Sequence, residues 1–511
     1  PEVARRVEAL AGPLAAVEAN EDAGRYAQAL ALLESITPEV EALAYAPLVV
    51  RALRARGSLL NELSRGDEAV QPLERGFFLA RAEGLDTYAR ALAIRLTRLY
   101  GDVLAKTDLG LLWSRHALAE VTRLREPSWE SSYLTAVSSV YLREGEFAEA
   151  EAACRRAIEL IEAQPDRSEH DLSRAHRSLA NALMRRGKYA ESREHFERAI
   201  ALRVAALGPD HPEVADVEYG LANALSYEGE HAEALVHLER ALASHQRTRP
   251  ESIWVGMDHR EIGAVVLRMG KPEEARVHLL EALRLLERSH GPDHPDVAGP
   301  CNSLGMVFVK LRRYEEARVW FRRALDIYLG SAPDHPDIAS LYNNLGIIDK
   351  TQKRYASATE NYIKALALFE RRLGPEHPTV GKFHVNIGVL YFSQGDLAAA
   401  EETYHKAIGI LERSLGREHP DLVLVLGNLA EVVRLRGRPK EGVELAERAL
   451  AILNARPDND PGMRANIELE LARGLWILHE RARAIALAGA ARDDYLAAGA
   501  GHEGEARQAA A

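Results

Sequence analysis

The chain repeats itself about every 42 residues, and this period constrains its fold more than any other feature. An apolar residue followed by Gly or Ala recurs, with the small residue seven positions before a turn residue. Leu179-Ala180 precedes Gly187, Leu221-Ala222 precedes Gly229, and Ile262-Gly263 precedes Gly270. Leu304-Gly305 precedes Arg312, Leu345-Gly346 precedes Lys353, Ile387-Gly388 precedes Gly395, and Leu429-Ala430 precedes Gly437. The turn positions step by 41 or 42. The same step reaches back to Gly145, then to Thr107, Gly66 and Gly24, and forward to His479, which makes about twelve units.

Twelve residues after each turn stands an Ala: Ala157, Ala199, Ala241, Ala282, Ala324, Ala365, Ala407, Ala449 and Ala491. The pattern predicts two antiparallel helices per unit, brought close by small residues on both. Large residues nine after the turn (Phe196, Leu238, Phe321, Tyr362, Tyr404) are expected to fill the space between neighbouring units. One such unit cannot bury its apolar face alone, so stacking completes the core. The expected fold is therefore all-α, a solenoid rather than the three or four globules that 511 residues would otherwise suggest.

Composition agrees with helices and narrows the function. Aromatic residues are only 6%, and Ala, Leu, Glu and Arg dominate. A net charge of −11 argues against nucleic acid as the main partner. No run of about 18 uncharged apolar residues exists, so no membrane span is expected. Two cysteines, Cys154 and Cys301, exclude a disulfide scaffold. Without a signal peptide, and with so few cysteines, a cytoplasmic protein is expected. The chain starts at Pro1 rather than Met, so it is expected to be processed or cut from something longer.

The units are joined by a motif of their own: Gly208-Pro209-Asp210-His211-Pro212, Gly291-Pro292-Asp293-His294-Pro295, Ala332-Pro333-Asp334-His335-Pro336, Gly374-Pro375-Glu376-His377-Pro378 and Gly416-Arg417-Glu418-His419-Pro420. Gly should end one helix and Pro begin the next. The acid that follows (Glu213, Asp296, Asp337) meets the positive end of the helix dipole. Stacked loops stand about 10 Å apart, too far for their histidines to share one zinc ion. These histidines are expected to cap helices or pack loops, and no metal or cofactor is expected.

Helix pairs of this pattern resemble the tetratricopeptide repeat. With eight residues more than the generic 34, they resemble its kinesin light chain type. The resemblance covers residues 126–455 as a regular array. Residues 1–125 read as degenerate pairs of the same kind, and 456–511 as a terminal pair, cap and tail. The resemblance implies a right-handed superhelix. The N-terminal stretch is also similar to the region following the catalytic domain in a group of bacterial, myxobacterial-type Ser/Thr protein kinases.

No constellation for catalysis is present. Asp258-His259-Arg260 has the wrong order for a kinase loop, and Gly270-Lys271 is followed by Pro272 rather than Ser or Thr. Nothing basic stands beside either cysteine to activate it, so both should be core residues.

In the family, ligands lie in a concave groove lined by positions about thirteen, ten, six and three before the turn. In this sequence the resemblance implies Arg174, Arg177 and Asn181, then Tyr219 and Asn223, then Arg260. Asn302, Asn343, Lys350, Lys382 and Arg434 follow, with Asn344, Asn386 and Asn428 at the groove edge. Asn can pair with a peptide amide in either sense, and Arg can hold a carboxylate or phosphate. Asn181 and Asn223 stand where carboxylate-clamp members use Asn, but the clamp's Lys has no counterpart.

The expected function is binding of a protein or peptide, as scaffold or sensor, without catalysis. One alternative is the regulatory C-terminal region of a larger signalling enzyme, a Ser/Thr protein kinase. A second alternative is end-to-end self-assembly of solenoids.

Overall fold

The computed structural model describes residues 2–104, 106–124, 126–250, 252–331, 333, 335, 337–455, 461–497, 506–507 and 509. Pro1, three motif residues (Ala332, Asp334 and Pro336) and part of the expected tail lie outside them. The described residues form 24 α-helices and no strand. They follow as twelve antiparallel pairs. The first six are α1 (Glu2–Asp22) with α2 (Tyr26–Leu43), α3 (Ala46–Glu62) with α4 (Gly66–Ala82), α5 (Asp86–Arg98) with α6 (Thr107–Leu124), α7 (Pro127–Glu144) with α8 (Phe147–Glu162), α9 (Glu169–Arg185) with α10 (Tyr189–Leu207), and α11 (Pro212–Glu228) with α12 (His231–Thr248). The second six are α13 (Ile253–Arg268) with α14 (Pro272–His290), α15 (Pro295–Lys310) with α16 (Tyr314–Ser331), α17 (Asp337–Thr351) with α18 (Tyr355–Leu373), α19 (Pro378–Gln394) with α20 (Leu397–Leu415), α21 (Asp421–Leu435) with α22 (Pro439–Asn454), and α23 (Pro461–Ile477) with α24 (Arg481–Ala497). The chain divides into two compact units, Pro1–Val307 and Phe308–Ala511.

Ten of the twelve turn positions are where the period puts them. Gly24, Gly145, Gly187, Gly229, Gly270, Gly395 and Gly437 have left-handed backbone, and so do Arg312, Lys353 and His479. Two positions are corrected. In the second pair the left-handed residue is Ser64, at φ 62°, and Gly66 already begins α4. In the third pair there is no such turn: α5 runs into a π-helical segment, Leu99–Val103, and Thr107 opens α6.

The small residues act as expected. All nine repeat alanines are fully buried. The large residues are buried too, but not all lie between units. A Cβ on Gly346 would sit 2.7 Å from the Tyr362 ring, and one on Gly388 would sit 2.3 Å from the Tyr404 ring. Both contacts are within one pair, where bare glycine backbone admits the ring. Phe196 does bridge pairs: it lies against Gly220 on α11 of the next pair. Cys154 and Cys301 are fully buried, and burial pushes the Cys154 thiol up to about 12.

The joining motif is a helix cap built on histidine. In all five copies the ring Nδ1 accepts a backbone N–H two residues on. Glu213 donates to His211, Asp296 to His294, Thr379 to His377 and Asp421 to His419, each at 3.2 Å; Asp337 donates to His335 at 3.3 Å. The imidazole satisfies one of the amides that a helix start leaves unpaired. His377→Ala is expected to cost about 0.5–2 kcal/mol, the usual range for losing a cap. Faster amide exchange confined to the first turn of α19 would report it, and His377→Asn should restore most of the protection.

Candidate functional site: the inner face of the odd helices

Each helix packs on its own partner and on the next pair. Successive odd-numbered helices also touch each other, from α1 to α13 in the first unit and from α19 to α23 in the second. This places the odd row on the inner side of the curve.

In the first unit the curve closes on itself. The His211 ring Nε2 lies 3.0 Å from the Asp22 carbonyl oxygen, 189 positions away in the chain. The Pro212 ring lies 2.7 Å from where a Cβ on Gly24 would stand. Arg249, after α12, lies 3.7 Å from Glu62 at the end of α3 and 5.7 Å from the Tyr26 ring on α2. The inner face of the first six pairs therefore encloses a confined, strongly charged space.

The enclosure changes its ionisable groups. Glu62 is pushed up to about 7, first by burial and then by the negative charge of Asp216. Asp216 goes the other way: burial opposes its ionisation, but Arg249 and His245 outweigh that and hold it well below the usual carboxylate range. Arg95 falls to about 10 through burial and then the charge of Arg54. Arg98 falls to about 9 through burial and then the charges of Arg174, Arg95 and Arg177. Glu18 is spent on Arg54, at 2.9 Å, and on Arg51.

The groove residues expected from the sequence divide by what they already hold. In the first unit, Arg174 on α9 pairs with Asp171 at 3.1 Å. Arg177, one turn on, has its Nε enclosed with no hydrogen-bond partner. Asn181 is half-buried and makes no side-chain bond to a described residue. Tyr219, Asn223 and Arg260 come together and bond one another. The Tyr219 hydroxyl accepts from Arg260 at 3.0 Å, lies 3.4 Å from Glu261, and shares a hydrogen bond with Asn223. This cluster joins α11 to α13. Asn302, half-buried on α15, has partners within the protein.

In the second unit, Asn386 on α19 donates to the Asn343 carbonyl on α17 at 3.3 Å. Asn344 is half-buried and bonded within the protein. Lys350 makes no bond to a described residue, and burial lowers its pKa. Lys382 pairs with Asp421 at 2.8 Å, and Arg434 makes a two-point bridge to Glu470 at 2.5 and 3.2 Å.

Sequence reasoning missed the inner arginines of the first three pairs. With Gly66 as anchor, the groove register of the second pair falls on Leu53 and Arg56. With Ser64, the observed turn, it falls on Arg51 and Arg54. The Arg95 and Arg98 pair was hidden because the third pair lacks the turn from which to count. Spacing alone could have found all of these: Arg51/Arg54, Arg95/Arg98 and Arg174/Arg177 are each three residues apart on an odd helix.

One histidine–carboxylate group among the described residues has metal-like spacing. His290, His294 and Asp296 bring their ligand atoms within 4.8 Å. His294 already uses its Nδ1 lone pair to cap α15.

Family models described as tetratricopeptide repeat match residues 171–247, 256–330 and 379–455, with further models of that description at 338–379 and 131–164. Together they cover more than half of the chain. No curated protein sequence matches it. Among solved structures, the apo form of the quorum sensor NprR from B. thuringiensis is 12% identical, covers 71% of this chain and 98% of its own, and has a TM-score of 0.53. The apo form of RapI is 19% identical over 56% of this chain and 98% of its own, with a TM-score of 0.43. A Podosopora anserina putative kinesin light chain with nearly identical TPR-like repeats is 23% identical over 40% and 97%, with a TM-score of 0.34. The likeness to NprR is one of fold. No described helix is long and apolar enough to cross a membrane.

Proposed function

Because the chain belongs to the tetratricopeptide repeat family, we propose that it is a non-catalytic scaffold or sensor. Its ligand is an extended peptide or protein segment lying on the inner face of the odd-numbered helices. One observation carries this: that face keeps hydrogen-bonding groups the protein does not use. The Arg177 Nε, Asn181 and Lys350 are partly or wholly withdrawn from water and have no partner among the described residues. Leaving such groups unsatisfied costs about 1–3 kcal/mol each, and a bound peptide recovers that cost. Asn offers both a donor and an acceptor to a peptide amide. Of the remaining expected contacts, Lys382 and Arg434 would exchange their present carboxylates for the ligand, and the Asn343–Asn386 pair would open to it.

Panning a random dodecapeptide library against the full chain is expected to enrich binders with Kd of about 10 μM or tighter, near −7 kcal/mol. Asn181→Ala or Lys350→Ala should weaken a selected peptide by about threefold to tenfold without lowering the melting temperature. Enrichment no better than on an unrelated protein would sink the proposal.

A further inference from the structure

Four guanidinium groups meet on the inner face of the first unit with little to hold them there. Arg95 and Arg98 come from α5, and Arg174 and Arg177 from α9. Arg98 makes no hydrogen bond or ion pair with any described residue. Arg177 has an enclosed, unpartnered Nε. Arg95 has one hydrogen bond, to the Ser58 hydroxyl at 2.6 Å, and Arg174 has the only direct acid, Asp171. The other acids of the enclosure are engaged elsewhere: Glu18 with Arg51 and Arg54, Glu213 with Arg203, and Asp216 with Arg249 and His245.

Helix α7 packs between α5 and α9 and touches both. Its inner-face register positions, thirteen and ten before Gly145, are Ser132 and Thr135. Both hydroxyls donate back to their own helix, to the carbonyls of Ser128 and Ser131. The two arginine-bearing helices thus flank one that offers only short side chains. Long side chains there would have crowded the space between the guanidinium groups.

Like charges gathered away from bulk water repel, and an apo protein gains nothing from them. We infer that Arg98 and Arg177, with Arg95 and Arg174, form a socket for an anionic group of the ligand, a carboxylate or a phosphate. The planar forks of Arg suit both anions and would bind them by paired, charge-assisted bonds. The depressed pKa values of Arg95 and Arg98 fit a cluster awaiting its counter-charge. The partly neutral Glu62 nearby supplies little of it. This inference rests on the peptide-binding function proposed above and names the chemistry of its ligand.

The test uses the full chain and three fluorescein-labelled pools of random dodecapeptides, with Gln, Glu or phosphoserine fixed at the centre. By fluorescence anisotropy, the Glu or the phosphoserine pool should bind at least tenfold more tightly than the Gln pool. Whichever anion wins identifies the source. In the double variant Arg98→Gln/Arg177→Gln that preference should fall below twofold. The variant should melt no lower than the parent, because it loses repulsion rather than bonds. If the double variant does not fold, Arg98→Gln alone should cost the preferred pool at least threefold. Pools that bind equally well would overturn the socket while leaving peptide binding intact. Failure of all three pools to bind would overturn both. A preference that survives Arg98→Gln/Arg177→Gln would place the anion elsewhere and overturn the socket.

Discussion

Phe196→Ala should destabilise the protein by about 3–5 kcal/mol, the usual cost of emptying a fully buried aromatic site. Phe196 has no exposed surface, and its ring holds α10 against α11 of the following pair. The contact is close enough that a Cβ on Gly220 would stand 2.4 Å from the ring. Two consequences follow. Gly220→Ala alone should be destabilising through overpacking, by about 1–3 kcal/mol. Combined with Phe196→Ala, a larger residue such as Leu at 220 should recover part of the loss, because the two sites share one volume. Urea unfolding measures the sum, and hydrogen exchange on α10 and α11 shows whether it is local. Independent, additive effects of the two substitutions would show that the contact does not hold the pairs together.

The second large effect is expected at His245, which is fully buried between two carboxylates. Its Nδ1 lies 2.6 Å from Asp258 Oδ2 and its Nε2 lies 3.1 Å from Asp216 Oδ1, so both ring nitrogens face acceptors. Arg249 bridges to the same Asp216 oxygen at 3.1 Å and to Glu62 at 3.7 Å. Burial alone would depress the imidazole, but the two carboxylates outweigh it and raise His245 to about 9. A histidine whose folded pKa lies above its unfolded value of about 6.5 stabilises fully below that value. The contribution, about 3 kcal/mol, fades as pH rises from 6.5 through 9. The parent should therefore melt progressively lower across that window. His245→Gln should cost about 3–5 kcal/mol at neutral pH, because it leaves two buried carboxylates without their cation. It should also flatten the slope between pH 7 and 9. A parent whose melting temperature stays constant over that range would show that His245 is neutral in the fold. The network joins α3 to α11, α12 and α13, so its failure should also loosen the closed inner face.

The repeat was legible because its determinants are local. A left-handed turn residue, a small residue seven before it and an Ala twelve after it are enough to define a helix pair. Even Arg312 and Lys353 were placed in left-handed turns by period alone, although neither is glycine. Where period and residue type disagreed, residue type misled. Gly66 was chosen over Ser64, two positions off, and the groove register of that pair moved with it. Thr107 was chosen where the chain makes a π-helical segment and needs no such turn at all.

The candidate site was only partly legible, for a different reason. Arg174, Arg177 and Asn181 were assigned to the inner face from their register, and in the fold Arg177 and Asn181 have no described partner. Tyr219, Asn223 and Arg260 share that register, yet they bond one another. Register fixes which way a side chain starts. It does not say whether a neighbour 41 or 42 residues away will reach it.

By itself, then, the sequence determined the helix pair, its period, its buried alanines and its histidine caps. Each of these depends on contacts within a unit or across one joint. The tertiary structure decided that the first unit closes until Asp22 meets His211 and Glu62 meets Arg249. That closure sums small rotations over several pairs, which no single unit encodes. It also decided which arginines find an acid and which do not, because pairing across the enclosed face exists only once the turn is complete.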